Sequence, residues 1–271
     1  MRPEDVVNLD DYPIVDRSDP RRAGLIQRLK SELDAKQYVS LPNFIRPEAM
    51  NKAVADAVAA RPRAYHNSSR RNCYLQRAGD PSLPAEHPRN IMMDASTRML
   101  AYDLIPDDCP VKTLYHWEPV RRMVAEIVGS DKLYDNEDPC QPVNLLCYEQ
   151  GDRSAWHFDS VNAFTMTLML QAPLAGGEFE MVPNTRTDDD QNYDYVAKVV
   201  TGKCPQDAVP VAREAGSLCI FRGCNSLHRV SPVQGDVVRI MGVFVYETEP
   251  GVVGDPEVNA TVYGRQKLAN A

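Results

Sequence analysis

One histidine among the five in this 271-residue chain, His157, stands two positions before Asp159 in the stretch AWHFDSVNAF. Residues two apart on an extended strand point to the same face, so this imidazole and this carboxylate can bind one ion together. A third ligand has to come from elsewhere, and His228 follows a strand-like run 69 residues after Asp159. Two histidines and one carboxylate that leave coordination positions open are typical of non-haem Fe(II) oxygenases, whereas a structural zinc site uses four protein ligands. His-x-Asp alone also fits a hydrogen-bonded strand end, so the metal interpretation depends on the rest of the chain.

Arg239 supplies the second feature that can do chemistry. It lies 11 residues after His228 in the run DVVRIMGVFVY, which reads as a strand buried on both faces. A lone buried guanidinium is costly, so Arg239 needs an anionic partner. The distal end of a dicarboxylate could form a bidentate pair with it. The alternative is a structural ion pair with one of the 38 acidic residues of the chain.

Three consecutive stretches carry a family resemblance: NLLCYEQGDRSAWHFDS, FTMTLMLQAPLAGGEFEMVP and REAGSLCIFRGCNSLHRVSPVQGDVVRIMGVFVY. Their Tyr-x-x-Gly before His-x-Asp, Gly-Gly before a β run, Gly before an apolar strand and His-x10-Arg resemble the Fe(II)- and 2-oxoglutarate-dependent dioxygenases. The prolyl 4-hydroxylase-like branch is the most similar. The resemblance spans about residues 140–247. The stretches RRNCYLQ and NYDYVAKVV also look similar to bacterial members that hydroxylate or chlorinate free amino acids such as lysine.

The resemblance implies a cofactor set of Fe(II), 2-oxoglutarate and O2. It implies that His157, Asp159 and His228 bind Fe(II), that Arg239 binds the distal carboxylate of 2-oxoglutarate, and that Tyr148 donates a hydrogen bond to this cosubstrate. Halogenating members have Gly or Ala in place of the carboxylate, so that chloride can bind the iron. Asp159 therefore favours hydroxylation, or another oxidation such as desaturation, over halogenation.

Further binding residues follow from strand alternation. In AFTMTLMLQ the apolar side chains share one face, which leaves Thr165 and Thr167 on the other, and we expect both to face the barrel interior near the cofactor. Asn144 shares the face of Tyr148 and is a further cosubstrate candidate, although all three polar residues could instead face solvent on an edge strand. Candidates for substrate contact lie in the polar loop before residue 75 or beside the metal ligands in sequence. They are Arg70, Arg71, Tyr74, Ser160, Asn162 and Arg222.

The elements that must position these residues suggest an α+β fold. Short β-like runs separated by Gly-containing turns from about residue 140 predict a double-stranded β-helix, or jelly roll. We divide the chain into an N-terminal arm (1–18), a helical N-terminal part (19–139) with an active-site loop at 61–92, and a jelly-roll catalytic core (140–271) integrated with that part into one domain. The N-terminal helices are expected to pack on one sheet.

Individual helices are indicated by capping residues and apolar periodicity. Asp19 and Pro20 predict a helix start. Further helices are expected near 94–104 and 113–129, and a helical insert at 190–202.

Composition limits the function classes. A formal net charge of −8 disfavours nucleic acid and anionic membranes as partners. Seven cysteines without a C-x-x-C pair, no secretory signal and no long apolar run predict a cytoplasmic protein. We expect a hydroxylase of a small polar molecule, such as a free amino acid or a derivative. A peptidyl (prolyl-type) hydroxylase and a cupin-like isomerase or ligand-binding module are the alternatives, and the oligomeric state stays open.

Overall fold

The computed structural model describes residues 1–159, 164–211 and 214–265, which form helices and mainly antiparallel strands. The helices are α1 (Pro3–Val6), α2 (Pro20–Lys36), α3 (Pro47–Ala60), α4 (Pro110–His116), α5 (Glu118–Val128), α6 (Tyr193–Val200) and α7 (Pro256–Tyr263). The strands are β1 (Tyr38–Leu41), β2 (Tyr65–Arg71), β3 (Met93–Leu100), β4 (Tyr134–Asp135), β5 (Val143–Tyr148), β6 (Ser154–His157), β7 (Thr165–Gln171), β8 (Ala175–Gly176), β9 (Phe179–Val182), β10 (Val209–Pro210), β11 (Leu218–Phe221), β12 (Leu227–Val230), β13 (Val233–Gln234), β14 (Arg239–Phe244) and β15 (Tyr246–Glu247). Among these helices, none combines the length and apolarity needed to cross a membrane.

Two antiparallel sheets form the centre of the fold. The large sheet has the order β1-β11-β7-β14-β5-β3-β2, and the small sheet has the order β10-β9-β12-β6. The sheets face each other, since the rings of Phe179 on β9 and Phe221 on β11 lie 5.1 Å apart, centroid to centroid. The expected mixed α and β architecture is confirmed, and the two opposed sheets are consistent with the expected jelly roll.

The outer face of the large sheet packs against the N-terminal helices. On β5, Leu145 and Cys147 join the same buried core as Leu29 of α2 and Leu114 of α4. The intervening side chains of β5 point to the opposite face, into the space between the sheets. Because strand alternation separates the two faces, the large sheet presents an apolar surface to the helices and a more polar one to the cavity.

Helix α2 begins as predicted, because the Asp19 side chain accepts a hydrogen bond from the Arg21 N–H (2.9 Å) and Pro20 occupies the first turn. It ends at Gln37, whose φ of 66° is left-handed, and the chain then enters β1. The segment 113–129 contains most of α4 and all of α5, with a break at Trp117. The predicted insert is also helical, as α6.

The prediction of a helix at 94–104 is wrong. Residues 93–100 form β3, which pairs with β2 from Met93 to Met99 and extends the large sheet beyond β5. The strand β2 itself lies within the stretch 61–92 that was expected to be a loop. The strand β2 carries polar residues on both faces, so it lacks the alternation by which strands are recognised. In β3, Met93, Ala95, Thr97 and Met99 do alternate with polar residues, a period of two that the helix prediction overlooked.

The first 18 residues also pack more closely than a free arm would. Val6, Val7 and Ile14 are fully buried in the main core, and Val7 forms a β-bridge with Ile45. The burial of these three side chains attaches the segment to the helices.

Candidate functional site

Two neighbouring strands of the small sheet bring the predicted metal ligands together. His157 ends β6 and pairs directly with His228 of β12. Asp159 follows two residues later, where its backbone N–H donates to the carbonyl of Gly223 (3.1 Å). The Asp159 Oδ1 atom lies 3.7 Å from His157 Nε2 and 3.4 Å from His228 Nε2. One ligand atom from each of the three residues falls within 4.8 Å of the others, so a single ion can contact all three.

Backbone carbonyls orient both imidazoles toward this common point. His157 Nδ1 lies 2.8 Å from the carbonyl oxygen of Ala155, and His228 Nδ1 lies 3.0 Å from that of Ser226. A carbonyl only accepts, so each Nδ1 carries the proton and each Nε2 keeps its lone pair. Such hydrogen bonds to the remote nitrogen are the usual support of a metal-binding histidine.

The protonation states suit a metal centre. Burial, helped by the nearby His228, lowers the pKa of His157 to about 3. Burial would raise the pKa of Asp159, but His228 and the hydrogen bonds to the carboxylate outweigh this and hold it below its usual range. A neutral imidazole and an ionised carboxylate are the forms that bind metal. The donor set therefore fits Fe(II), with coordination positions left for other ligands.

A cavity of about 340 Å³ adjoins the three residues and extends between the two sheets. This volume is at the lower end of the roughly 300–1,000 Å³ typical of small-molecule sites. Both Arg239 and Tyr148 line it, opposite each other on β14 and β5. Arg239 is 1% exposed, and its Nε donates to the carbonyl of Gly177 (3.0 Å). A Cβ atom on Gly177 would lie 3.0 Å from Arg239 Cδ, and the φ of Gly177 is +66°, so the predicted Gly-Gly turn is needed to seat this arginine.

Tyr148 lies beside Arg239, with the guanidinium carbon 5.7 Å from the ring centroid. Burial raises the pKa of Tyr148 to about 12, so its hydroxyl remains a hydrogen-bond donor at neutral pH. A buried cation and a buried phenol side by side in the cavity wall are suited to a carboxylate.

The two threonines and Asn144 also line the cavity, which excludes the alternative of solvent exposure on an edge strand. Thr167 Oγ1 and Asn144 Oδ1 are buried and have no hydrogen-bond partner among the described residues, so both can interact with a bound molecule. Thr165 differs, because its hydroxyl donates to Asp159 Oδ2. Its position is therefore beside a metal ligand.

Of the four substrate candidates that the structure describes, Arg71 is the one in the cavity wall. It forms no ion pair with a described carboxylate, and burial lowers the pKa of its guanidinium. Its charge also contributes to the low pKa of His157, which places it near the metal centre. An unneutralised cation at this point favours an anionic ligand.

The other substrate candidates lie elsewhere. Arg70 is exposed, 4.0 Å from Asp94, and Arg222 is bound to Asp34 of α2 (2.6 Å). Tyr74 packs behind the metal ligands, with its ring 5.6 Å from that of Phe158. None of these three side chains is among the residues that line the cavity, and their contact with a substrate stays a prediction. Ser160 and Asn162 lie outside the described residues.

Several cavity residues had no sequence signal. Asn67 and Thr97 come from β2 and β3, and Tyr263 from α7, which packs on those strands. The Asn144 amide donates to the Tyr263 hydroxyl (3.1 Å), and the Asn67 amide donates to the carbonyl of Thr261 (3.0 Å). Helix α7 therefore closes one side of the cavity. Both hydrogen bonds join residues that are more than 100 positions apart in sequence.

Comparisons with known proteins agree with this geometry. The family model described as "HalD: Halogenase D" matches residues 22–253. An oxidoreductase of the 2OG-Fe(II) oxygenase family from Burkholderia pseudomallei is 16% identical, with a TM-score of 0.51 over 84% of this chain and 92% of its own. AviO1 from Streptomyces viridochromogenes Tue57 is 16% identical, with a TM-score of 0.56 over 83% and 96%.

A prolyl hydroxylase from Trichoplax adhaerens, in complex with a hypoxia inducible factor oxygen degradation domain peptide fragment, is 13% identical, with a TM-score of 0.53 over 86% of this chain and 94% of its own. At such identities the similarity concerns the fold. No curated protein matches the chain significantly.

The predicted resemblance to Fe(II)- and 2-oxoglutarate-dependent oxygenases, enzymes that use this metal and cosubstrate with O2, is confirmed by these matches and by the His157, Asp159 and His228 cluster. Because the family model covers most of its length, the chain belongs to the Halogenase D family.

Proposed function

We propose that the protein is an Fe(II)- and 2-oxoglutarate-dependent dioxygenase with a double-stranded β-helix core that hydroxylates a C–H bond of a small polar substrate, a free amino acid or a derivative. The observation that carries the proposal is the carboxylate of Asp159, which lies with His157 and His228 around one point in a chain of the Halogenase D family.

In this proposal His157, Asp159 and His228 hold the iron through Nε2, Oδ1 and Nε2. Arg239 and Tyr148 hold the distal carboxylate of 2-oxoglutarate, and Thr167 and Asn144 contribute hydrogen bonds in the cavity. Bound iron with 2-oxoglutarate and O2 supplies the oxidative chemistry, in which 2-oxoglutarate becomes succinate and CO2 and one oxygen atom enters the substrate. The protein orients the reactants and keeps water out, since Arg239 and Tyr148 are almost fully buried.

Hydroxylation is favoured over halogenation because Asp159 occupies the position that halogenating members leave for chloride. Its Oδ1 atom lies 3.7 Å from His157 Nε2 and 3.4 Å from His228 Nε2. Its Oδ2 atom accepts a hydrogen bond from the Thr165 hydroxyl. A halide would have to displace an ionised ligand that is already in place.

The charges of the cavity support a substrate with a carboxylate and an uncharged side chain. Among the described residues of the wall, Asp159 is the one carboxylate, whereas Arg71 and Arg239 are both cations. The segments 160–163, 212–213 and 266–271 contain no Asp or Glu in sequence. If Arg239 binds the cosubstrate, Arg71 remains for the carboxylate of the substrate. A cationic side chain such as that of lysine would find no carboxylate of its own on this wall.

The test is a succinate-release screen with Fe(II), 2-oxoglutarate, O2 and chloride over free amino acids and their derivatives. We expect substrate-dependent succinate for a compound with an uncharged side chain, and a product that has gained one oxygen atom by mass spectrometry. Asp159→Ala is the matched control and should release no substrate-dependent succinate. Incorporation of chlorine by the wild-type protein, or turnover restricted to cationic amino acids, would contradict the respective part of the proposal.

A further inference from the structure

The two oxygen atoms of the Asp159 carboxylate have different surroundings. Oδ1 faces the histidine Nε2 atoms at 3.7 Å and 3.4 Å. Oδ2 accepts a hydrogen bond from the Thr165 hydroxyl. Thr165 is the first residue of β7 in the large sheet, so this bond connects the metal ligand to the sheet opposite its own.

Gly223 bounds Oδ2 on another side. A Cβ atom on Gly223 would overlap both Oδ2 and Cγ of Asp159, and it would lie 3.1 Å from Cε1 of His228. The φ of Gly223 is outside the left-handed region, so its backbone does not require glycine. The requirement is for space, since any larger residue would push the carboxylate out of its position. The bond from the Asp159 N–H to the Gly223 carbonyl (3.1 Å) fixes the two segments at this separation.

We infer that Thr165 and Gly223 are positioning residues that hold Asp159 as a ligand through one oxygen, Oδ1. The inference rests on the proposed iron site and names the residues that control how Asp159 binds the metal. The Thr165 hydrogen bond occupies Oδ2, so the carboxylate does not swing to bind the metal through both oxygens, and the glycine leaves the room for it to stay there. A carboxylate bound through one oxygen takes a single coordination position, and the positions that the cosubstrate and O2 require stay open. Thr165 is thereby reassigned from cosubstrate binding to support of a metal ligand.

The experiment uses Co(II) as an optical probe of the site in the full-length protein, without turnover. The dissociation constant and the visible spectrum are measured for the wild type, Thr165→Val and Thr165→Ser. Loss of a hydrogen bond that supports a metal ligand typically weakens metal binding about 10- to 100-fold, and we expect this for Thr165→Val together with an altered spectrum. Thr165→Ser keeps the hydroxyl and should stay near the wild type in both.

Gly223→Ala provides an independent variant, since it displaces the carboxylate without removing any hydrogen-bonding group. We expect weaker Co(II) binding and a changed spectrum. Gly24→Ala is the matched control, because Gly24 lies in α2 with no atom within 4 Å of an added Cβ, and it should bind Co(II) as the wild type does. Circular dichroism confirms that each variant is folded.

A Thr165→Val protein that binds Co(II) with the wild-type dissociation constant and spectrum would overturn the inference. Asp159→Ala separates this from failure of the proposed function. If Asp159→Ala weakens Co(II) binding while Thr165→Val and Gly223→Ala do not, the metal site stands and the positioning role falls. If Asp159→Ala also has no effect, the metal assignment itself falls.

Discussion

Replacing Arg239 should selectively weaken the binding of 2-oxoglutarate. The Nε atom of Arg239 donates to the Gly177 carbonyl. The two terminal nitrogens of the guanidinium are therefore the atoms that would bind the cosubstrate carboxylate. Each hydrogen bond to a charged group contributes about 1.5–3 kcal/mol, and two of them give about 3 kcal/mol at the lower end. At about 1.4 kcal/mol for each factor of ten, Arg239→Met should raise the dissociation constant of 2-oxoglutarate by at least roughly 100-fold.

Arg239→Lys refines the prediction. Lysine keeps the charge but presents a point cation in place of the planar fork, and it cannot reproduce the Nε bond to Gly177. We expect about half of the free-energy loss, which corresponds to roughly tenfold weaker binding. Arg70→Ala is the control, because Arg70 is an exposed arginine outside the cavity wall.

The assay is an anaerobic calorimetric titration of the Fe(II)-loaded protein with 2-oxoglutarate, which gives the dissociation constant. The thermal unfolding midpoint of each variant shows whether it is folded. The reasoning would be refuted by an Arg239→Met protein that is folded, binds Fe(II) and retains the wild-type affinity for 2-oxoglutarate. The alternative of a structural role for Arg239 would then explain its burial.

Other predictions concern substrate, stability and pH. Arg71→Met should raise the KM for the substrate far more than that for 2-oxoglutarate, which steady-state kinetics with each varied in turn would show, and equal effects on both would contradict a substrate role. Tyr115→Phe should lower the free energy of unfolding in urea titrations by about 1–3 kcal/mol. The reason is that the buried hydroxyl donates to the Val245 carbonyl (2.8 Å) and accepts from the Asn136 N–H (2.7 Å). An unchanged urea midpoint of unfolding would refute this. In the native protein at pH 8, iodoacetamide should label the partly exposed Cys204 before the buried Cys73, Cys109 and Cys147, as read by mass spectrometry. Burial raises the pKa of these three thiols to about 12 and keeps them protonated. The pKa of these thiols is about 9 in the unfolded chain and about 12 in the folded one. Their contribution to the free energy of unfolding is therefore complete below pH 9 and is lost as the pH rises toward 12. A thermal midpoint that does not fall over that range would contradict the assignment.

The site residues that the sequence predicted are each marked by a pattern within a single strand. His157 and Asp159 are linked by strand geometry over two positions, and Arg239 is marked by a charge within an apolar strand. The positions of Thr167 and Asn144 in the cavity followed from alternation alone. Such signals act within one element, so they are visible in one sequence.

What could not be predicted depends on pairing between distant segments. The strand β2 takes its structure from pairing with β3, about 30 positions away, and its own residues show no strand period. Arg222 lies next to the metal-site loop in sequence, but it turns to Asp34 of α2, 188 positions away. The roles of Thr165 and Gly223 toward Asp159 likewise arise only where the two sheets and their loops meet.

The central claim is that His157, Asp159 and His228 bind Fe(II) in a way that leaves room for 2-oxoglutarate on the metal. An anaerobic titration of the protein with Fe(II) and 2-oxoglutarate, recorded in the visible range, tests it most directly. The account predicts a weak charge-transfer band that requires both components and is lost in His157→Ala. A wild-type protein that binds Fe(II) but develops no such band with 2-oxoglutarate would contradict it.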